Sequence, residues 1–167
     1  MADYFRFINN LAGYETCLCK PIYKAAHKNW GEKFMNTGIC NESRESPSIL
    51  LVEDDEITAY MLEYMLQREG YNVTHFADGK QAYEAINNDH PFSLALLDVM
   101  IPYKNGIELI SHIRSLPAWG KTPVIMISGK SQEKDIVKAL DTGATDYIVK
   151  PFQPGEVLAR IRKAAPV

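Results

Sequence analysis

From residue 48 to residue 164 the sequence alternates between short apolar runs and longer segments whose apolar residues recur at helical spacing, with only a few residues between them. "SILLV", "YNVTHFA", "FSLALLD", "TPVIMIS" and "TDYIVK" read as strands. "EITAYMLEYMLQRE" (56–69), "DGKQAYEAINND" (78–89), "NGIELISHIRSL" (105–116), "SQEKDIVKALDTG" (131–143) and "PGEVLARIRKA" (154–164) read as helices. Gly70 and Gly143 are suited to end the first and fourth helices, and Ser131 to cap the start of the fourth. Runs that are apolar throughout suit strands covered on both faces. Five strands alternating with five helices predict βαβ units, and so a parallel, doubly wound α/β sheet.

In such sheets ligands sit beyond the carboxyl ends of the strands. Those ends carry the polar residues. "ILLVEDDE" (49–56) runs from the core into Glu53, Asp54, Asp55 and Glu56; the third strand ends on Asp98, the fourth on Ser128, the fifth on Lys150. Parallel strands put these ends on one rim. Glu53, Asp54 and Asp98 gathered there would repel one another, with Lys150 as the one rim cation. A divalent ion resolves this: Mg²⁺ takes hard oxygen ligands, keeps several waters and needs no full protein cage. A metal, a hydroxyl and an ammonium together suit a phosphoryl group, and a carboxylate such as Asp98 can act as a nucleophile toward one. Asp55 and Glu56 are read as first-turn acids of the helix that follows, where they favour its dipole.

"ILLVEDDE", "LALLDVMIPYKNG", "VIMISGK" and "GATDYIVKPF" together resemble the receiver domain of two-component response regulators, over residues from about 47 to 165, within a domain expected to span 46–167. Asp54, Asp98, Ser128 and Lys150 follow one another at 44, 30 and 22 residues, as in that family. The resemblance implies a flavodoxin-like fold with strand order 2-1-3-4-5. It implies that Asp98 accepts a phosphoryl group from a sensor histidine kinase or a phosphotransfer protein. Mg²⁺ (or Mn²⁺) would be held by Asp54 directly, by Glu53 through water, by Asp98, and by the Met100 carbonyl. Lys150 would pair with the phosphoryl group, and a cis peptide is expected between Lys150 and Pro151. Ser128 would close on the phosphoryl oxygens, Tyr147 would swing inward after it, and Gly129 would leave access to the acid. The surface of helix 131–142, strand 145–149 and helix 154–164 would then engage a downstream protein or a second copy.

The sequence departs from the family pattern in places. Ile136 stands where winged-helix regulators often carry a basic residue, while Asp146, Glu156 and Arg160 keep the places of its partners. An exposed Ile136 predicts a more apolar contact on that face. Met100 and Lys130 flank the acceptor, and large side chains there would hinder an attacking water, so a long-lived phosphoryl group is expected. Two other readings are a receiver-like module that binds without phosphorylation and a Mg²⁺-dependent aspartyl phosphatase. The acids and Lys150 weigh against the first. Against the second, Met100 stands where such an enzyme would place its acid–base carboxylate. No turnover of an independent metabolite is expected.

Residues 1–45 fall outside the resemblance and are read as an N-terminal, helical extension, with "NESRESPS" (41–48) as linker. Ile22, Ala26, Trp30 and Phe34 make an apolar stripe with Lys20, Lys24 and Lys28 beside it, suited to packing on a neighbour. Cys17, Cys19, His27 and Cys40 could be written as a zinc set, but "CLC" is tighter than the usual knuckle, and free thiols fit better. His75, His90 and His112 have no metal spacing and read as surface or packing residues. The net charge of −3 offers no basic field for nucleic acid. With no apolar run near a span's length and an odd count of three cysteines, the chain is expected to be cytoplasmic. It is either a stand-alone regulator or a fragment of a longer one.

Overall fold

In the computed structural model the described residues are 46–88 and 90–167. The expectations for residues 1–45, namely the helical extension, its apolar stripe and its cysteines, lie outside them. Ten elements alternate without exception: β1 (Ser48–Val52), α1 (Glu56–Arg68), β2 (Asn72–Phe76), α2 (Gly79–Asn88), β3 (Leu94–Asp98), α3 (Gly106–Ser115), β4 (Val124–Ser128), α4 (Glu133–Thr142), β5 (Asp146–Val149) and α5 (Pro154–Ala164). All strand pairs are parallel, in the order β2-β1-β3-β4-β5. This is the expected doubly wound, flavodoxin-like sheet.

The period-2 geometry of a strand sends neighbouring side chains to opposite faces. In β1, Leu50 and Val52 therefore join an apolar cluster with α2, α3 and α4, while Ile49 and Leu51 join one with α1 and α5. β3 and β4 divide in the same way. Each fully buried Leu or Ile of these clusters contributes about 1.5–3 kcal/mol of transfer free energy.

The helix ends follow local chemistry. Asp55 caps α1 by accepting from the Thr58 N–H at 2.7 Å. Asn105 and Glu108 form a reciprocal capping box at α3. Gly70 (φ +92°) and Gly143 (φ +115°) take the left-handed conformation that ends α1 and α4. The Lys150–Pro151 peptide is cis.

Two expectations are corrected. Ser131 does not cap α4: the helix begins at Glu133, Gln132 holds the cap position, and no side chain bonds the cap there. Ser131 stands one residue too early to reach the free N–H groups of the first turn. Ile136 is not exposed but half-buried against the core, and Val137 and Leu140, 46% and 43% exposed, are the apolar residues α4 presents. The helical stripe facing the sheet passes through Ile136 and Ala139, which turns 137 and 140 outward.

Candidate functional site

The register of the sheet assembles the rim. Val52 pairs with Leu97, Asp98 with Ile127, and Ser128 with Val149. Glu53 therefore follows β1 beside Asp98 at the end of β3. One carboxylate oxygen from each of Glu53, Asp54 and Asp98 lies within 4.8 Å of the others. Glu53 and Asp98 are buried, at 1% and 6% exposure, and Asp54 is exposed.

Lys150 holds the buried pair. Its ammonium donates to both Glu53 oxygens at 2.7 Å and to Asp98 Oδ2 at 2.6 Å. Asp98 Oδ1 accepts from the Met100 N–H at 2.8 Å. Burial pushes the Glu53 carboxyl up, against the pull of Lys150. Burial would depress the Lys150 ammonium, but its bonds to Asp98 and Glu53 outweigh that and hold it above the usual lysine range. Two buried carboxylates and one ammonium leave an excess negative charge beside the exposed Asp54. Three convergent oxygens with an open side fit a hydrated Mg²⁺, which keeps several waters.

The rest of the rim is equally defined. Ser128 is fully buried, and its Oγ accepts from the Lys130 N–H at 3.2 Å. Tyr147, expected to swing inward, is already inside at 8% exposure; its Oη donates to the Lys130 carbonyl at 2.8 Å, and burial pushes its phenol up. A Cβ on Gly129 would meet nothing within 4 Å, whereas one on Gly106 would lie 2.3 Å from the Asp98 carbonyl oxygen. Gly106 thus lets α3 start flush against the end of β3, with its N–H on the Val99 carbonyl. Beside the acids lies a cavity of about 520 Å³, walled by Asp54, Met100, Asn105, Lys130 and Lys138 among others.

All seven residues expected at the site, Glu53, Asp54, Asp98, Met100, Ser128, Tyr147 and Lys150, thus lie at this end of the sheet. Sequence reasoning missed two others. His75, read as a surface or packing residue, donates from Nε2 to the Glu53 carbonyl. Arg114 binds the carbonyls of Trp119, Gly120, Thr122 and Gly143, tying the α3–β4 loop to the end of α4. Neither belongs to a motif. The signal for His75 is its place next to last in a strand pairing beside the acids.

Comparison with known proteins agrees with this geometry. Residues 49–162 match the family model described as the response regulator receiver domain. The transcriptional regulatory protein CpxR of Escherichia coli is 44% identical over 114 residues, covering 68% of this chain and 47% of CpxR. The DNA-binding response regulator MtrA of Mycobacterium tuberculosis is 42% identical, over 68% of this chain and 48% of MtrA. The chain thus spans about half the length of these curated relatives. Among solved structures, the receiver domain of the Pseudomonas aeruginosa sensor histidine kinase PA1611, with magnesium coordinated in its active-site cleft, superposes with a TM-score of 0.66 at 29% identity, over 73% of this chain and 99% of that one. The chemotaxis response regulator CheY4 of Vibrio cholerae gives 0.66 at 27% identity, over 71% and 98%.

Proposed function

The chain belongs to the response regulator receiver domain family, and on that footing we propose that it takes up a phosphoryl group on Asp98, with Mg²⁺ bound at Glu53, Asp54 and Asp98, as one step of a two-component phosphorelay. The observation that carries this reading is the convergence of three carboxylates within 4.8 Å, two of them bridged by Lys150. When bound, Mg²⁺ supplies charge neutralisation for the transferring phosphoryl oxygens.

The chain's own groups do the rest. The Met100 N–H and the Lys150 ammonium orient the Asp98 carboxylate. An Asp98 oxygen attacks phosphorus, a P–O bond forms, the P–N bond to a donor histidine breaks, and the electron pair leaves with the imidazole nitrogen. Lys150 then faces phosphoryl oxygens as well as carboxylates. Ser128, two residues before Lys130, offers its hydroxyl to the same group. Turning the hydroxyl toward phosphate draws on its bond to the Lys130 N–H, and the Lys130 carbonyl is where Tyr147 is anchored. A change at the acceptor therefore reaches α4 and β5 through one residue, Lys130, whose N–H faces Ser128 and whose carbonyl holds Tyr147.

The resulting output is a protein contact through α4, β5 and α5, with a downstream protein or a second copy. Arg160 on α5 is bonded within its own chain to Asp146 and Glu156, and Val137 and Leu140 lie exposed on α4. Kinase and phosphotransfer partners would deliver the phosphoryl group at the rim. The division into an extension, 1–45, and a receiver domain, 46–167, belongs to the same reading, as do a cytoplasmic site of action and the absence of turnover of an independent metabolite. Among the described residues no helix is long and apolar enough to cross a membrane.

The test is incubation of the protein with acetyl phosphate and Mg²⁺, followed by intact mass. Wild type should gain one phosphoryl group; Asp98→Asn, or wild type with excess EDTA, should gain none. Equal labelling of Asp98→Asn would overturn the assignment.

A further inference from the structure

The β1–β2 ladder ends where the acids begin. It runs from Ser48↔Asn72 to Val52↔Phe76, and the Glu53 N–H still donates to the Phe76 carbonyl at 3.2 Å. In a parallel pair the next bond, into the Glu53 carbonyl, would come from the partner backbone two residues on, at Asp78. By Asp78 the chain has turned into α2, and the Asp78 carboxylate accepts from the N–H groups of Lys80 and Gln81.

A side chain supplies the bond instead. His75 Nε2 lies 2.8 Å from the Glu53 carbonyl oxygen. A carbonyl only accepts, so Nε2 carries the hydrogen. The other ring nitrogen, Nδ1, lies 3.5 Å from Glu63 Oε1 on α1. The ring is thus carried by β2 with Nδ1 turned toward α1, and through Nε2 it presents one donor to one peptide.

That peptide joins Glu53 to Asp54. It is planar and rigid, so fixing its carbonyl fixes the plane that carries the Asp54 Cα. One residue on, Asp55 is fixed as the α1 cap by its bond from the Thr58 N–H. Asp54 therefore lies between two anchors, the imidazole bond on the Glu53 carbonyl and the Asp55 cap, and Glu53 adjoins the first of them. We infer that His75 is a positioning residue for the metal site: its bond to the Glu53 carbonyl aims the Glu53 and Asp54 carboxylates at the point where they meet Asp98. This rests on the reading of these acids as a Mg²⁺ site, and it adds a residue from the edge strand, outside the acid cluster.

Groups that orient metal ligands without touching the ion typically contribute about 10–100-fold in metal affinity; one that acts only through backbone is expected at or below the bottom of that range, roughly three- to tenfold. The experiment is a Mn²⁺ titration of the full chain by electron paramagnetic resonance, with thermal melts in EDTA alongside. His75→Ala should bind Mn²⁺ roughly three- to tenfold more weakly than wild type. His75→Gln, whose amide nitrogen occupies the place of Nε2, should bind close to wild type. A lower melting temperature for His75→Ala with unchanged Mn²⁺ affinity would make the residue a structural support only and overturn the inference. Equal weakening in Ala and Gln would overturn the hydrogen bond as its cause. If wild type itself binds no Mn²⁺, the metal-site reading falls, and this inference with it.

Discussion

The Lys150 ammonium reaches Asp98 Oδ2 at 2.6 Å from the far end of β5, across the width of β4. The same ammonium holds both oxygens of Glu53. Removing it leaves two buried carboxylates facing one another. Lys150→Ala should lose about 3 kcal/mol in the absence of divalent ions, the low end for breaking a buried ion pair from one side. Part of the loss should return on adding Mg²⁺, because a ligand that binds only the folded state stabilises it. Urea unfolding with EDTA and with Mg²⁺ measures both; equal midpoints for variant and wild type in EDTA would refute the pairing.

Met100 is 61% exposed and shares with Lys130 the wall of the cavity beside Asp54. A water attacking an acyl phosphate on Asp98 would approach past these two side chains. Trimming both, as Met100→Ser with Lys130→Ala, should shorten the phosphoryl lifetime severalfold. The decay of labelled protein on a phosphate-affinity gel reads this directly. An unchanged decay rate would mean that neither side chain screens the acid.

The Asp78 carboxylate accepts from the backbone of Gln81 and of Lys80 and from the Gln81 amide, and these bonds hold its carboxyl below the usual 3.8. An acid depressed by folding contributes stability that is present above its unfolded value and is lost as pH falls through the folded one. Asp78→Ala should therefore melt below wild type at neutral pH, and the two should converge at pH values well under 3.8. Melts that stay equally far apart in acid would assign the difference to something other than the charge of the Asp78 carboxylate.

Arg114 is half-buried and donates to four backbone carbonyls, with two of its bonds on Gly143 at 2.7 and 3.0 Å. Arg114→Ala would strip the Gly143 carbonyl of both, at a cost of about 3 kcal/mol. Lysine, with a single point donor, should recover little of this. Hydrogen exchange should show the added loss in the last turn of α4 and the α3–β4 loop, and protection there equal to wild type would contradict the role.

Much of this molecule is legible in the sequence, for identifiable reasons. Strands buried on both faces leave uninterrupted apolar runs, and parallel βαβ units bring their carboxyl ends to one edge, so Glu53, Asp54, Asp98, Ser128 and Lys150 could be gathered before any coordinates. What escaped depends on angles. Ser131 is the right residue for a cap, but the helix starts after Gln132. Ile136 lies about one residue of rotation from being exposed, and only packing decides that Val137 and Leu140 face out. His75 and Arg114 act on backbone carbonyls, which carry no residue identity, so no spacing rule points to them.

One feature of α4 bears on how little work the domain needs to change shape. Its single fully buried residue is Ala139. Its rear end hangs on the Arg114 guanidinium, and the segment leading into it hangs on the Tyr147 hydroxyl. It is mounted like a door, hinge at Gly143 and latch at Lys130, with little glue along the panel. On the phosphorelay reading, a pull on the latch side would meet little resistance from the apolar packing of α4 itself.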